Sequence, residues 1–299
     1  SIGGFTISGV ENLSVAMSDF DTGASHGLTL NMLNSPVSTV TLSGSSTTTV
    51  ADVLILTSVP AATSLALNNA TNLNLTATYA TAATTGTANA VSVTVTSVTS
   101  TAATDSIVTV GAGFEIMNLA TACTASTLGS LVFGGNTLNI SGSQNLTVRA
   151  TLQTTLATID ASALTGRLSI TVGNPAAATN PGLVDIADIT VTGTSANDTL
   201  NLASADAADE IALDAGAGND TVTIGNALSA PSTTSAGDVI AGGDGTDTLV
   251  YTSAGFNGHL GVLTFIVPGI IQKAPVKRFP IHRIVAGSKD RHETRIDAA

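Results

Sequence analysis

Three stretches near the C-terminal end decide the fold: G-T-S-A-N-D-T-L-N from Gly193 to Asn201, A-G-A-G-N-D-T-V-T from Ala215 to Thr223, and G-G-D-G-T-D-T-L-V from Gly242 to Val250. Each places a turn of small residues and an aspartate ahead of a short apolar-alternating strand. The third fits in full the nonapeptide pattern G-G-x-G-x-D-x-U-x, with U aliphatic. Glycine suits such turns because they need positive φ and close approach of successive turns, both costly for a residue with a Cβ.

Working outward, the pairs Ile189/Val191, Leu200/Leu202, Ile211/Leu213 and Val222/Ile224 recur every 11 residues, and Leu146, Leu168 and Ile189 step by 22 and then 21. A strand every 11 residues and a rung of about 22 predict a coil with two principal strands per turn. Strands this short bury nothing alone, so rungs must stack to share a core. Period-two alternation also runs through Leu28-x-Leu30, Val91-x-Val93-x-Val95 and Leu168-x-Ile170-x-Val172, and no stretch has helical periodicity. An Asn-Leu step recurs irregularly at Asn12, Asn72, Asn118 and Asn145, with Asn capping a corner while Leu points inward. The fold class is therefore all-β, a β-solenoid; a β-sandwich N-terminal part followed by a short β-roll is the alternative. Three regions are expected: a Thr/Ser/Asn-rich solenoid over 1–188, an aspartate-bearing β-roll over 189–255 with a looser excursion from Asn226 to Gly237, and an irregular basic tail over 256–299.

Composition agrees with short strands. Of 299 residues 43% are hydrophobic but only 3% aromatic, so the core is built from Val, Ile, Leu and Ala. Residues 1–272 carry 18 acidic side chains and two basic ones, Arg149 and Arg167, for a net charge of −16. Such a body repels nucleic-acid phosphates and anionic headgroups and suits divalent cations. The lone Cys123 excludes an intrachain disulfide framework. The longest apolar run, Leu260 to Ile271, holds Pro268 and is too short to span a bilayer, so no membrane insertion is expected. No basic n-region and apolar run follow Ser1, and the chain reads as an internal piece of a longer protein.

The carboxylate and inward carbonyls of each turn are hard oxygen ligands, and two turns one rung apart can complete a Ca²⁺ shell of six or so. A flexible, all-protein cage of this kind favours calcium over magnesium. The candidate metal residues are Gly216, Gly218, Asn219 and Asp220 in the second copy, Gly243, Asp244, Gly245 and Asp247 in the third, and Asp198 in the first. Asp209 and Asp238 share the position two residues before an inward aliphatic, Asp209 without glycines. Carboxylates stacked at about 4.8 Å repel by roughly 1 kcal/mol per pair in water and more in a lower dielectric. Metal is thus expected to drive folding of this segment, with extracellular-type affinity of roughly 10⁻⁴ to 10⁻³ M. The competing reading is an Asx-turn without metal.

Other motifs are weaker. Gly23-Ala24-Ser25-His26-Gly27 matches G-x-S-x-G, but the polar Ser18 to Thr22 precedes it and no helix pattern follows, so it reads as a loop. Asp19-x-Asp21-x-Gly23 is a fragment of a metal loop lacking its final acid. No histidine pair has zinc spacing.

The turns Gly216 to Asp220 and Gly242 to Asp247 resemble the haemolysin-type calcium-binding (RTX) repeats. The Lys-free, Thr/Ser/Ala-rich body with its Asn-Leu steps and the phrase Ile159-Asp160-Ala161-Ser162-Ala163-Leu164 resembles bacterial surface-layer proteins of the RTX type. The resemblance implies a right-handed parallel β-solenoid, an extracellular cell-surface location, Ca²⁺ as the bound ion, self-assembly into a lattice and a cell-surface glycan anchor, with no enzymatic activity. The copies are separated where tandem repeats are usual in that family, and the basic end is unlike its export signal. Alternatives are an adhesin stalk and an RTX-bearing fragment of a secreted hydrolase; against an enzyme, a lyase base could come only from Arg149 or Arg167.

Overall fold

The computed structural model describes residues 9–18, 26–47, 50–81, 84–173, 189–203, 210–225 and 238–251. They form a parallel β-solenoid, and every named strand pair is parallel. Sheet A holds ten strands: β1 (Asn12–Ser18), β3 (Thr39–Ser45), β5 (Ser64–Thr71), β7 (Ala90–Thr96), β9 (Ile116–Thr121), β12 (Thr137–Gly142), β14 (Thr158–Leu164), β16 (Ile189–Thr194), β18 (Ile211–Gly216) and β20 (Val239–Ala241). Sheet B faces its first half with β2 (Gly27–Asn31), β4 (Asp52–Val59), β6 (Leu73–Tyr79), β8 (Ile107–Val110) and β11 (Ser130–Val132). Sheet C faces its second half with β10 (Ser126–Leu128), β13 (Leu146–Thr151), β15 (Leu168–Thr171), β17 (Thr199–Leu202), β19 (Thr221–Ile224) and β21 (Thr248–Tyr251).

The side-chain alternation explains the coil. In β17, Leu200 and Leu202 are buried while Thr199 and Asn201 face outward, and β19 repeats this with Val222 and Ile224. A four-residue strand with one apolar face is stable only when rungs above and below extend that face. The core is accordingly one continuous aliphatic column, from Leu30 and Val40 to Val222 and Ile224. The N-terminal part belongs to the same stack: sheet A runs unbroken from β1 to β20, across residue 188, and no β-sandwich is present among the described residues.

The 11-residue step alternates between sheets as expected: Ile189 pairs with Ile211 in sheet A, and Leu200 with Val222 in sheet C. One inferred column is corrected. Leu146 pairs with Leu168 in sheet C, but Ile189 lies in sheet A, so the next sheet-C strand after β15 is β17. In sequence, 17 residues, 172–188, separate β15 from β16, and this length defeats the constant step. Asp19, Asp21, Asp209, Asn226 to Gly237 and the 256–299 tail lie outside the described residues.

Candidate functional site

The three aspartate turns form one edge of the solenoid, where the chain passes from sheet A to sheet C: β16 to β17, β18 to β19 and β20 to β21. Parallel register puts Asp198, Asp220 and Asp247 in a column. Each Oδ1 accepts the backbone N–H of the in-register residue one rung earlier: Leu168 to Asp198 at 2.8 Å, Asp198 to Asp220 at 2.7 Å and Asp220 to Asp247 at 3.0 Å. The neighbouring column runs the other way. Asn197 Oδ1 accepts the N–H of Asn219, and Asn219 Oδ1 that of Thr246, both at 2.8 Å. Backbone bonds also tie the second turn to the third across rungs, with Asp244 N donating to Gly216 O at 3.0 Å and Gly218 N to Asp244 O at 2.7 Å.

Glycine is required in these turns, as two positions illustrate. Gly216 (φ +99°) and Gly243 (φ +88°) lie so close to the preceding rung that a Cβ would overlap the carbonyl oxygens of Thr194 and Gly216, respectively. Gly218, Asn219, Asp244 and Gly245 line the same edge, and Asp247 Oδ2 rests against Gly242.

The two buried aspartates differ in one way. Asp198 is fully served: besides Leu168 N, its Oδ2 accepts Thr194 N–H at 2.7 Å and its Oδ1 accepts the Thr194 hydroxyl at 2.9 Å. One rung on, the equivalent of Thr194 is Gly216, which has no hydroxyl and donates its N–H to Asp214 Oδ1 at 3.1 Å. Asp220 Oδ2 is consequently buried with no hydrogen-bond partner, in a residue only 1% exposed. Such an orphan loses its hydration without replacement.

Electrostatics follows from this difference. Burial pushes the Asp220 carboxyl from 3.8 up to about 6; the Asp198 amide opposes the rise, and the charges of Asp198, Asp247 and Asp214 reinforce it. Burial also raises Asp198, against the donors from Leu168 and Thr194 and the nearby Arg167 charge. Among the described residues no three His, Cys, Asp or Glu side chains converge on one point. A cation at Asp220 Oδ2 would be held by that oxygen, its carboxylate neighbours and turn carbonyls, each of which keeps a second lone pair. The donor set is entirely hard oxygen, which suits an alkaline-earth ion and not zinc. The orphaned oxygen and the glycine-lined turn fit such an ion at Asp220 and Asp247, whereas both oxygens of Asp198 already accept protein donors.

The sequence reading missed two members of the same device. Asp52 Oδ1 accepts His26 N–H at 2.6 Å, and Glu115 Oε2 accepts Asn89 N–H at 2.7 Å. Both lie two residues before a buried residue, Leu54 and Met117, as Asp198 does before Leu200. Asp238 repeats it on the opposite edge, accepting Ile211 N–H at 2.8 Å. The signal is an acid two residues ahead of an inward aliphatic, with or without glycine. Asp105 is a different corner: against its burial, donors from Ser100, Thr101 and Ala102 hold its carboxyl below the ordinary value. His26 directly precedes β2 and Gly27 opens it, so the described part of Gly23 to Gly27 leads into a strand, not a helix.

No protein-family model, curated protein or solved structure matches this chain.

Proposed function

We propose that this chain is a structural protein of the bacterial surface-layer kind, a self-assembling β-solenoid whose corner at Asp220 and Asp247 binds Ca²⁺ outside the cell. One observation carries the reading: where glycine replaces Thr194 in register, the buried Asp220 lacks the two donors that Thr194 gives Asp198, leaving a buried carboxylate oxygen with no protein donor that a cation can satisfy. Calcium answers this need with flexible oxygen coordination at the low affinity that extracellular modules use. The −16 charge of residues 1–272 suits a body that binds cations and acts through its surfaces and its length. The Asp/Gly corner, which resembles the RTX repeat, supports the extracellular placement.

The test is electron microscopy of the purified chain with calcium and with chelator. Ordered sheets that appear only with calcium are the expected outcome. Particles that stay monomeric in calcium at all concentrations would overturn the self-assembly and point to a stalk or spacer.

A further inference from the structure

From β12 onward the coil alternates sheet-A and sheet-C strands around a shared core, so the outer faces of the two sheets look in opposite directions. They differ in charge. The outer face of sheet C carries a register-matched row of hydroxyls, Thr127, Thr147, Ser169, Thr199, Thr221 and Thr248, one per rung. No acid lies on its outward strand positions. Both basic residues of the whole 1–272 body are here and exposed. Arg149 projects from β13 with its Nε bonded to Ser100 O at 3.1 Å, and Arg167 leads into β15 with Nη2 bonded to Thr199 Oγ1 at 2.9 Å. Together with Asn145, Thr147 and Ser169, Arg167 lines an open concavity on this face.

The outer face of sheet A carries the complementary row. Asn139, Asp160, Thr192 and Asp214 stand in register on successive rungs, with Asp214 exposed and Asp160 half-buried. We propose that the sheet-C face of one copy docks on the sheet-A face of a second copy, with Arg149 and Arg167 directed at the Asp160 and Asp214 row. The inference rests on the self-assembly reading above and names its contact.

Three physical points favour a second copy as occupant. Of the two outer faces from β12 onward, sheet C is the one free of carboxylates, so it can approach the Asp160 and Asp214 row of another copy without carboxylates meeting carboxylates. Both rows repeat at the strand spacing of about 4.8 Å, so the polar ladders still match after sliding by whole rungs, and the charges select among those registers. Because the two faces are different and back to back, the contact is heterologous: each copy that docks through one face presents the other, and growth continues as an open row. Six short strands span roughly 25 Å by 13 Å, well below the ~800 Å² per partner of a stable pair. A single contact is therefore weak and salt-sensitive, and it persists only where each copy has two neighbours.

Sedimentation velocity of the full chain in saturating calcium tests this. Fast-sedimenting species are expected at high protein concentration and low salt, with dispersal in high salt. The double variant Arg149→Glu/Arg167→Glu and the double variant Asp160→Lys/Asp214→Lys are each expected to stay monomeric, and an equimolar mixture of the two to recover the fast species. Circular dichroism confirms that each variant is folded, and the salt dependence of the wild type reads the same contact without any variant. Wild-type sheets that ignore both salt and the reversals overturn the face assignment and leave the self-assembly reading standing; a wild type that never associates removes both. If the arginine reversals abolish capture on alginate while self-association is unchanged, the face belongs to an anionic glycan and the assignment to a second copy is wrong.

Discussion

The backbone N–H of Asp198 donates to the carboxylate of Asp220 one rung later, at 2.7 Å, and Asp220 N–H donates in turn to Asp247, so the middle aspartate of the column is at once acceptor and donor. Rungs are thereby tied by side chain to backbone as well as by the sheet ladder. In this arrangement the aspartate immediately ahead of β17, β19 and β21 is a staple, and the glycine turn that replaces Thr194 one rung on leaves the staple at Asp220 unfinished.

The pH dependence of the metal-free chain should run against the usual carboxylate trend. Asp220 titrates at about 6 when folded and near 3.8 as an ordinary carboxyl, so between those values the folded state holds a proton that the unfolded state has released. Its contribution is complete below about pH 4 and is lost as pH rises through 6, an effect of at most roughly 3 kcal/mol. In chelator, the urea midpoint should fall across this window, and that fall should be smaller in the Asp220→Asn variant, where the raised Asp198 alone contributes. In calcium the window should reverse, because protons compete with the ion for the same oxygen.

Thr194→Val keeps the side-chain shape and removes the hydroxyl that donates to Asp198 Oδ1. A loss of about 1–3 kcal/mol is expected, since a buried carboxylate is left short of one donor. Calcium stoichiometry, measured by equilibrium dialysis, should not change, because Asp198 is held by protein donors alone.

Gly243→Ala forces a Cβ into the Gly216 carbonyl and asks alanine to hold φ +88°. The last described rung should give way, at a cost of about 1–3 kcal/mol from the backbone conformation alone. Calcium should then stabilise the variant much less than the wild type in paired melts with and without chelator.

Asp52→Ala removes a staple far from the glycine turns, where Asp52 accepts the His26 amide. A destabilisation of about 1–3 kcal/mol of equal size in calcium and in chelator is expected. A calcium-dependent difference would show that ions also bind along the first half of the solenoid.

Much of this arrangement is legible in the sequence, for a physical reason: period-two alternation and an 11-residue step are imposed by the coil itself, so Ile189, Leu200, Ile211 and Val222 announce both sheets. The exchange of sheet B for sheet C is not legible. Partners along sheet A lie 25 to 28 residues apart up to β9 and 21 apart from β9 to β14, yet the strands on either side have the same inward Leu and Val pattern. Which sheet a strand joins depends on the corner lengths between strands, which leave no mark inside the strand. The aspartate column was visible as Asp-x-aliphatic, but its division of labour was not. That division turns on whether threonine or glycine occupies the in-register position of the neighbouring strand, Thr194 against Gly216, and it is set by register and not by the spacing of the acids.

Calorimetric titration of calcium into the wild type and into Asp220→Asn tests the central claim most directly. Asparagine keeps an acceptor for the Asp198 amide and removes the buried charge, so the variant should remain folded, be at least as stable as the wild type in chelator, and lose the binding heat at this corner. Undiminished calcium binding by folded Asp220→Asn would contradict the account.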